Sequence, residues 1–209
     1  MKSLIFKIKS SVLLLMLVIA TAANAQTGYN VGDIATDFNL KNVNSKMVSM
    51  ANYSDAKGFL VIFHCNQCPY SKVYENRIIA LDAKYAAKGF PVLAINPNDP
   101  SINPEDSFEN MIIRAKDNKY NFPYLIDQTQ DIAKAYGAKA TPQVYLLKKT
   151  NKGLVVSYIG AIDNDTEDIN ENRIKYADNA VDALLANKDI EVTQTNAIGC
   201  SIKWKKTVQ

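Results

Sequence analysis

The feature that most constrains this chain is an apolar run, Phe59 to Phe63, that leads directly into two cysteines and a helical pattern. Five consecutive apolar residues suit a strand that is buried on both faces. Beyond Cys65 and Cys68, apolar residues recur near helical spacing at Val73, Ile78, Leu81 and Tyr85. The pattern therefore predicts a buried strand, a cysteine-bearing turn and an amphipathic helix.

The rest of the chain continues this alternation of strands and helices. The expected elements are a strand over 91–95, a helix from Asn103 with Pro104 at its first position, a strand over 124–126, a short helix over 129–136, a hairpin of strands 143–148 and 154–159, and a last helix over 171–186. Strand, helix and strand in succession favour parallel pairing. The chain is predicted to be an α/β protein with a central mixed sheet flanked by helices.

Residues 1–25 carry the pattern of a secretory signal peptide. Three lysines precede a short apolar run over 12–20, and the small residues Ala23 and Ala25 predict cleavage after Ala25. About nine apolar residues are too few for a membrane-spanning helix, which needs about twenty. We expect a periplasmic or secreted protein that is not inserted in the membrane after cleavage.

Charge gives little reason to expect a polyanionic partner. The chain has 24 basic and 21 acidic residues, and removal of the leader takes away three lysines and no acids. Nucleic acid and anionic membranes attract a net basic surface, which the near-neutral mature chain lacks. Proteins or small thiols are the expected partners, and nucleic acid is not.

Cys65 and Cys68 form a Cys-x-x-Cys motif at the junction of strand and helix. A first cysteine at a helix N-terminus gains thiolate stability from the helix dipole, and its pKa then falls below about 8.5. Cys65 would attack a substrate disulfide, and Cys68 would resolve the mixed disulfide and form a Cys65–Cys68 bridge. Pro69 follows in the first turn, where its missing N–H costs nothing.

Two structural readings of the cysteines compete with this one. A disulfide that only staples the fold would close too small a loop to constrain the unfolded chain much. A zinc site needs about four ligands, whereas the chain has three cysteines and one histidine, His64. We therefore expect neither a metal nor another cofactor.

The order of the elements resembles the thioredoxin fold. The phrases Cys68-Pro69-Tyr70, 94–99 and 199–204 resemble the extracytoplasmic TlpA-type and peroxiredoxin-like (AhpC/TSA-related) branch of that superfamily. The resemblance covers nearly all of the mature chain. It implies one thioredoxin-like domain over 26–190, with an extra N-terminal hairpin over 38–53, and a C-terminal tail over 191–209.

The resemblance also implies roles for residues near the cysteines. Thr141-Pro142 stands where the family carries a cis-proline, whose preceding residue pairs with an extended substrate. His64 replaces a tryptophan of many relatives; it would either stabilise the thiolate when protonated or simply pack beside the site. Gln67 would tune both sulfurs or merely be exposed. Phe59 stands where thioredoxins have a buried acid, so proton transfer needs another group.

Cys200 is the odd cysteine, in the tail. It could be a packed free thiol, a bond between chains or a third redox thiol, and the first of these is expected.

The resemblance implies an extracytoplasmic thiol-disulfide oxidoreductase, in the reductase direction, which a membrane-embedded thiol reductant would recharge. One alternative is a thiol peroxidase, although the chain lacks the Pro-x-x-x-Thr-x-x-Cys signature of that group. A remote alternative is a copper carrier, whose relatives space their cysteines by three residues and add a distant histidine.

Overall fold

The structure is a computed structural model that describes residues 28–206. The predicted signal peptide and its cleavage site lie outside the described residues. The strands are β1 (Ile34–Ala35), β2 (Leu40–Asn42), β3 (Met47–Val48), β4 (Gly58–Phe63), β5 (Val92–Asn96), β6 (Tyr124–Ile126), β7 (Ala140–Thr141), β8 (Gln143–Thr150), β9 (Gly153–Gly160) and β10 (Cys200–Ser201). The α-helices are α1 (Pro69–Tyr85), α2 (Phe108–Asp117), α3 (Asp131–Tyr136) and α4 (Tyr176–Leu185).

Eight strands form one mixed sheet in the order β1-β9-β8-β4-β5-β6-β2-β3. The pairs β4–β5 and β5–β6 are parallel, and the remaining neighbours are antiparallel. This is the predicted α/β thioredoxin-like architecture, and β2 and β3 form the predicted N-terminal hairpin. A second, two-stranded sheet pairs β7 with β10.

The central strand β4 is buried on both faces because helices cover the sheet on both sides. Leu60 and Ile62 pack on one face with residues of α1, α2 and α4. Phe59, Val61 and Phe63 pack on the other face with α3 and the N-terminal segment. All six residues of β4 are buried, as the unbroken apolar run predicts.

The start of one helix and one position on another differ from the prediction. Asn103 and Pro104 open only a short 3-10 turn, and α2 begins at Phe108, where the Ser107 side chain accepts a hydrogen bond from the Asn110 amide. Ser107 is the better cap because its side chain accepts from the third helical amide, whereas the Asn103 side chain makes no capping hydrogen bond. Val73 is exposed on α1, whereas the other three predicted core positions of that helix are buried.

Candidate active site

The two cysteines of the motif occupy different places relative to α1. Cys65 lies in the turn after β4, whereas Cys68 is the residue that caps α1, and Pro69 is the first residue of the helix. The sequence predicted that Cys65 would lie at the helix N-terminus, but the structure places Cys68 there instead. Asn66 and Gln67 lie between Cys65 and the residue that caps the helix.

The Cys65 sulfur is buried among hydroxyl groups. It lies 3.0 Å from the Thr141 Oγ1 and 3.6 Å from the Ser71 Oγ. Burial raises the pKa of the Cys65 thiol, and the negative charge of Asp106 raises it further, whereas hydrogen bonds from Thr141, Ser71 and the Cys68 amide oppose the rise. The prediction of a lowered Cys65 pKa is thus wrong for this state of the molecule.

Cys68 is bonded to Cys200 in this structure, and Cys65 is a free, buried thiol. The predicted Cys65–Cys68 bridge is not the pair seen here, and Cys200 is not a packed free thiol. The reason is the path of the tail. β10 brings the Cα atom of Cys200 within 5.9 Å of that of Cys68, a separation that suits a disulfide.

The Thr141–Pro142 bond is cis, as the resemblance implied. Thr141 is fully buried, and its backbone pairs with the tail: Cys200 lies opposite Thr141, and Ser201 opposite Ala140, in an antiparallel ladder. The edge at which an extended substrate was expected is therefore occupied by the protein's own C-terminal segment.

His64 is fully buried and belongs to a hydrogen-bonded series of side chains that also includes Tyr120, Glu75 and Arg114. Its Nε2 lies 3.1 Å from the Tyr120 hydroxyl oxygen, and that hydroxyl donates to Glu75, which also accepts from Arg114 at 2.9 Å. Burial lowers the pKa of His64 to about 3, and Arg114 contributes. His64 is neutral near pH 7, so of the two predicted roles the structure favours packing over stabilisation of a thiolate by a charged ring.

Gln67 is exposed, and its side-chain oxygen accepts from the Lys72 ammonium at 3.4 Å. Its exposure fits the simpler of the two roles expected for Gln67.

Asp106 is a site residue that the sequence reasoning missed. Its buried carboxylate accepts from the Asn66 amide at 2.6 Å and from the side chains of Asn98 and Asn103 at 2.8 Å and 2.7 Å. It thereby fixes the turn that carries Cys65. The signal was the asparagine-rich stretch 96–103 before Asp106, because several amide donors close together need a common acceptor when they are buried.

The described residues offer no cluster of three or more His, Cys, Asp or Glu placed to hold a metal ion. Within the same part of the chain, none of the helices combines the length and the apolar character that crossing a bilayer requires.

The chain is similar to several known proteins. The AhpC/TSA family model matches residues 31–156, which is more than half of the chain. The thiol-disulfide oxidoreductase ResA of Geobacillus thermodenitrificans is 26% identical over 129 residues, which are 61% of this chain and 68% of that protein.

Two solved structures extend the likeness. An uncharacterized conserved protein from Geobacillus kaustophilus has a TM-score of 0.79 at 36% identity, over 86% of this chain and 95% of that one. A thioredoxin-family thiol:disulfide interchange protein from Chlorobium tepidum has a TM-score of 0.55 at 18% identity, over 76% of this chain and 99% of that one. The second likeness concerns the fold alone.

Proposed function

This chain belongs to the AhpC/TSA family with a thioredoxin fold, and from that premise we propose that it is an extracytoplasmic thiol-disulfide oxidoreductase acting through Cys65 and Cys68. The observation that carries the proposal is that the sulfurs of Cys65 and Cys68 both lie against Thr141, with the third cysteine bonded to Cys68. The Cys65 sulfur contacts the Thr141 hydroxyl, the Cys68 sulfur lies 3.2 Å from the Thr141 carbonyl oxygen, and Cys200 is bonded to Cys68. Such an arrangement suits disulfide exchange.

The proposed reaction begins after an external dithiol has reduced the Cys68–Cys200 bond. The Cys65 thiolate attacks a substrate disulfide, which forms a mixed disulfide and releases one substrate thiolate. The Cys68 thiolate then attacks the Cys65 sulfur, so that the second substrate sulfur leaves and a Cys65–Cys68 disulfide forms. Two electrons pass from the cysteine pair to the substrate. An external dithiol must return them, and we assign that role to a membrane-embedded thiol reductant.

The substrates would be protein disulfides or small disulfides that approach Thr141 and Pro142. The relative ResA, named as a thiol-disulfide oxidoreductase, supports this class of reaction. The signal-peptide pattern of residues 1–25 supports a site outside the cytoplasm, where disulfides such as Cys68–Cys200 persist.

The test is reduction of insulin disulfides by the chain without residues 1–25, with dithiothreitol as the electron source. Cys65→Ser should abolish catalysed turnover, because the thiol that attacks the substrate disulfide is gone. Cys68→Ser, reduced beforehand and mixed with insulin after the dithiothreitol has been removed, should accumulate a mixed disulfide on Cys65. Circular dichroism would establish that each variant is folded. Turnover by folded Cys65→Ser at the wild-type rate would refute the proposal.

A thiol peroxidase is the second candidate, and the family match is what favours it. Against it stands the sequence before Cys65 and Cys68, which lacks the Pro-x-x-x-Thr-x-x-Cys signature of thiol peroxidases. Hydrogen peroxide consumption separates the two. A peroxidase would keep its activity in Cys68→Ser when an external thiol is supplied, and a disulfide reductase would show no such activity.

A further inference from the structure

The tail crosses the candidate site as a strap, which we define as residues 196–201. Before the strap, Thr193 and Thr195 exchange backbone hydrogen bonds with Ile159 of β9. After it, the Lys203 amide donates to the Asn98 side chain at 2.9 Å. Both ends of the strap are thus tied to the body of the protein by contacts that do not involve a cysteine.

The end beyond the strap is secured further by Gln130. Its side-chain amide donates to the Lys203 carbonyl at 2.8 Å, and its side-chain oxygen accepts from the Lys205 amide at 2.8 Å. Ile202, directly after the strap, is buried in the core cluster that includes Phe63. Release of the strap would therefore leave the rest of the tail attached.

The middle of the strap is held by the short β7–β10 ladder and by the Cys68–Cys200 bond. Upstream of it a cavity of about 390 Å³ lies between residues 194–197 and the segment that includes Ala140 and Gln143. Gly199 passes so close to Thr141 and Pro142 that a Cβ atom on it would overlap the Thr141 carbonyl group. The strap can pass this close to Thr141 because glycine has no side chain.

Exposure differs among the three cysteines. Cys65 and Cys68 are 1% and 5% exposed, whereas Cys200 is half-buried. While the strap is in place, an external protein cannot reach either cysteine of the motif, and the Thr141 backbone is already paired. The described state is therefore closed to a protein substrate.

We propose that Cys200 is a third exchange cysteine: Cys65 attacks the Cys68 sulfur, displaces Cys200 and so releases the strap from Thr141. The strap then acts as an internal substitute for the substrate, since it lies in an antiparallel ladder on the same backbone edge and offers a sulfur to the same pair. This inference concerns exchange within the chain and does not depend on reduction of an external substrate.

The exchange balances without any other oxidant or reductant. The Cys65–Cys68 bond forms as the Cys68–Cys200 bond breaks, so the chain keeps one disulfide and one thiol. The Cys65 thiol loses its proton before attack, and the released Cys200 thiolate takes up a proton. Thr141 contacts both reacting sulfurs. Its hydroxyl lies against Cys65, which attacks, and its carbonyl oxygen lies against Cys68, which is attacked.

Alkylation of the oxidised chain with N-ethylmaleimide, without denaturant, tests the exchange. After acid quenching and peptide mapping, we expect the label on Cys200 and a disulfide between Cys65 and Cys68, because alkylation of the freed Cys200 makes the exchange irreversible. Label on Cys65 with Cys68–Cys200 intact, or no label after prolonged incubation, would overturn the proposal.

The variant Cys65→Ser is the matched control for this experiment. It should carry the Cys68–Cys200 bond and take up no label, because the thiol that starts the exchange is gone. Labelling of Cys200 in this variant, or absence of the Cys68–Cys200 bond from it, would count against the proposal.

A change in the strap that leaves every cysteine in place gives an independent measure. Gly199→Ala should raise the rate of Cys200 labelling at least about fivefold, since it forces the strap away from Thr141 and weakens its hydrogen bonds. Asn196→Ala, at an exposed position of the same strap, should leave the rate unchanged. Equal rates in both variants would contradict a strap that must lift.

The failures of the two proposals are distinguishable. If Cys65→Ser abolishes insulin reduction but the wild-type label falls on Cys65, the oxidoreductase proposal stands and the exchange fails. If Cys200 is labelled as expected but Cys65→Ser still reduces insulin, the exchange stands and the catalytic role of Cys65 fails.

Discussion

The Cys65 sulfur lies 3.0 Å from the Thr141 hydroxyl oxygen, on the residue that precedes the cis-proline. A hydroxyl at this distance can donate to a thiolate and stabilise it, which opposes the rise in pKa that burial causes. Thr141 therefore both holds the strap through its backbone and controls the nucleophile through its side chain.

Thr141→Val should raise the pKa of Cys65 by about one unit, because a hydrogen bond to a charged group contributes on the order of 1.5 kcal/mol. The measurement is the thiolate absorbance at 240 nm against pH, in a chain where Cys68→Ser and Cys200→Ser leave Cys65 as the single cysteine.

Ser71→Ala is the matched control for this prediction, since the Ser71 oxygen is 3.6 Å from the same sulfur. Its effect on the pKa should be smaller than that of Thr141→Val. A larger effect would mean that Ser71 is the principal donor to the thiolate.

The buried His64 should make the protein less stable in acid. Below pH 6.5 the unfolded chain binds a proton at this histidine, whereas the folded chain does not bind it until about pH 3. The free energy of unfolding should therefore fall as pH drops through this window, and His64 should contribute about 1.4 kcal/mol per pH unit near pH 5. Above pH 6.5 the penalty is absent.

His64→Gln isolates that contribution, because glutamine does not titrate and its amide can still donate to Tyr120. Urea unfolding of both proteins at several pH values between 4 and 7 would give the two slopes. The variant should show the shallower dependence on pH. Parallel slopes would mean that His64 takes up its proton in the folded state as readily as in the unfolded state.

Much of the fold was predictable because local patterns coincide with it. The apolar run before the cysteines became β4, the predicted hairpin of 143–148 and 154–159 became β8 and β9, and Gly137 ends α3 in a left-handed conformation. The cis bond before Pro142 was implied by the resemblance to the thioredoxin fold, in which Pro142 stands after a short helix and before a strand. These features depend on near neighbours in sequence.

The chemistry of the site was less predictable because it depends on distant segments. Cys68 and Cys200 are 132 residues apart, and nothing in the local sequence of the tail shows that β10 pairs with β7. The motif alone favoured the nearer partner, Cys65. The direction of the Cys65 pKa also depended on burial and on Asp106, neither of which the spacing of the cysteines reveals.

Asp106 should affect stability and reactivity in opposite ways. Its carboxylate accepts from Asn66, Asn98 and Asn103, and its charge raises the pKa of Cys65. Asp106→Asn replaces one acceptor oxygen with an amide that faces other donors, so we expect a loss of about 3 kcal/mol in the free energy of unfolding. The pKa of Cys65 should fall at the same time, because the negative charge is removed.

Urea unfolding and the thiolate absorbance of the single-cysteine chain would measure these two effects of Asp106→Asn. Asp99→Asn is the control, since Asp99 is also buried in the same segment but accepts from the Ser101 amide at 3.0 Å rather than from the Cys65 turn. It should leave the pKa of Cys65 unchanged. If Asp106→Asn destabilises the protein while the pKa stays constant or rises, displacement of the turn outweighs the loss of charge, and Asp106 acts on Cys65 through position alone.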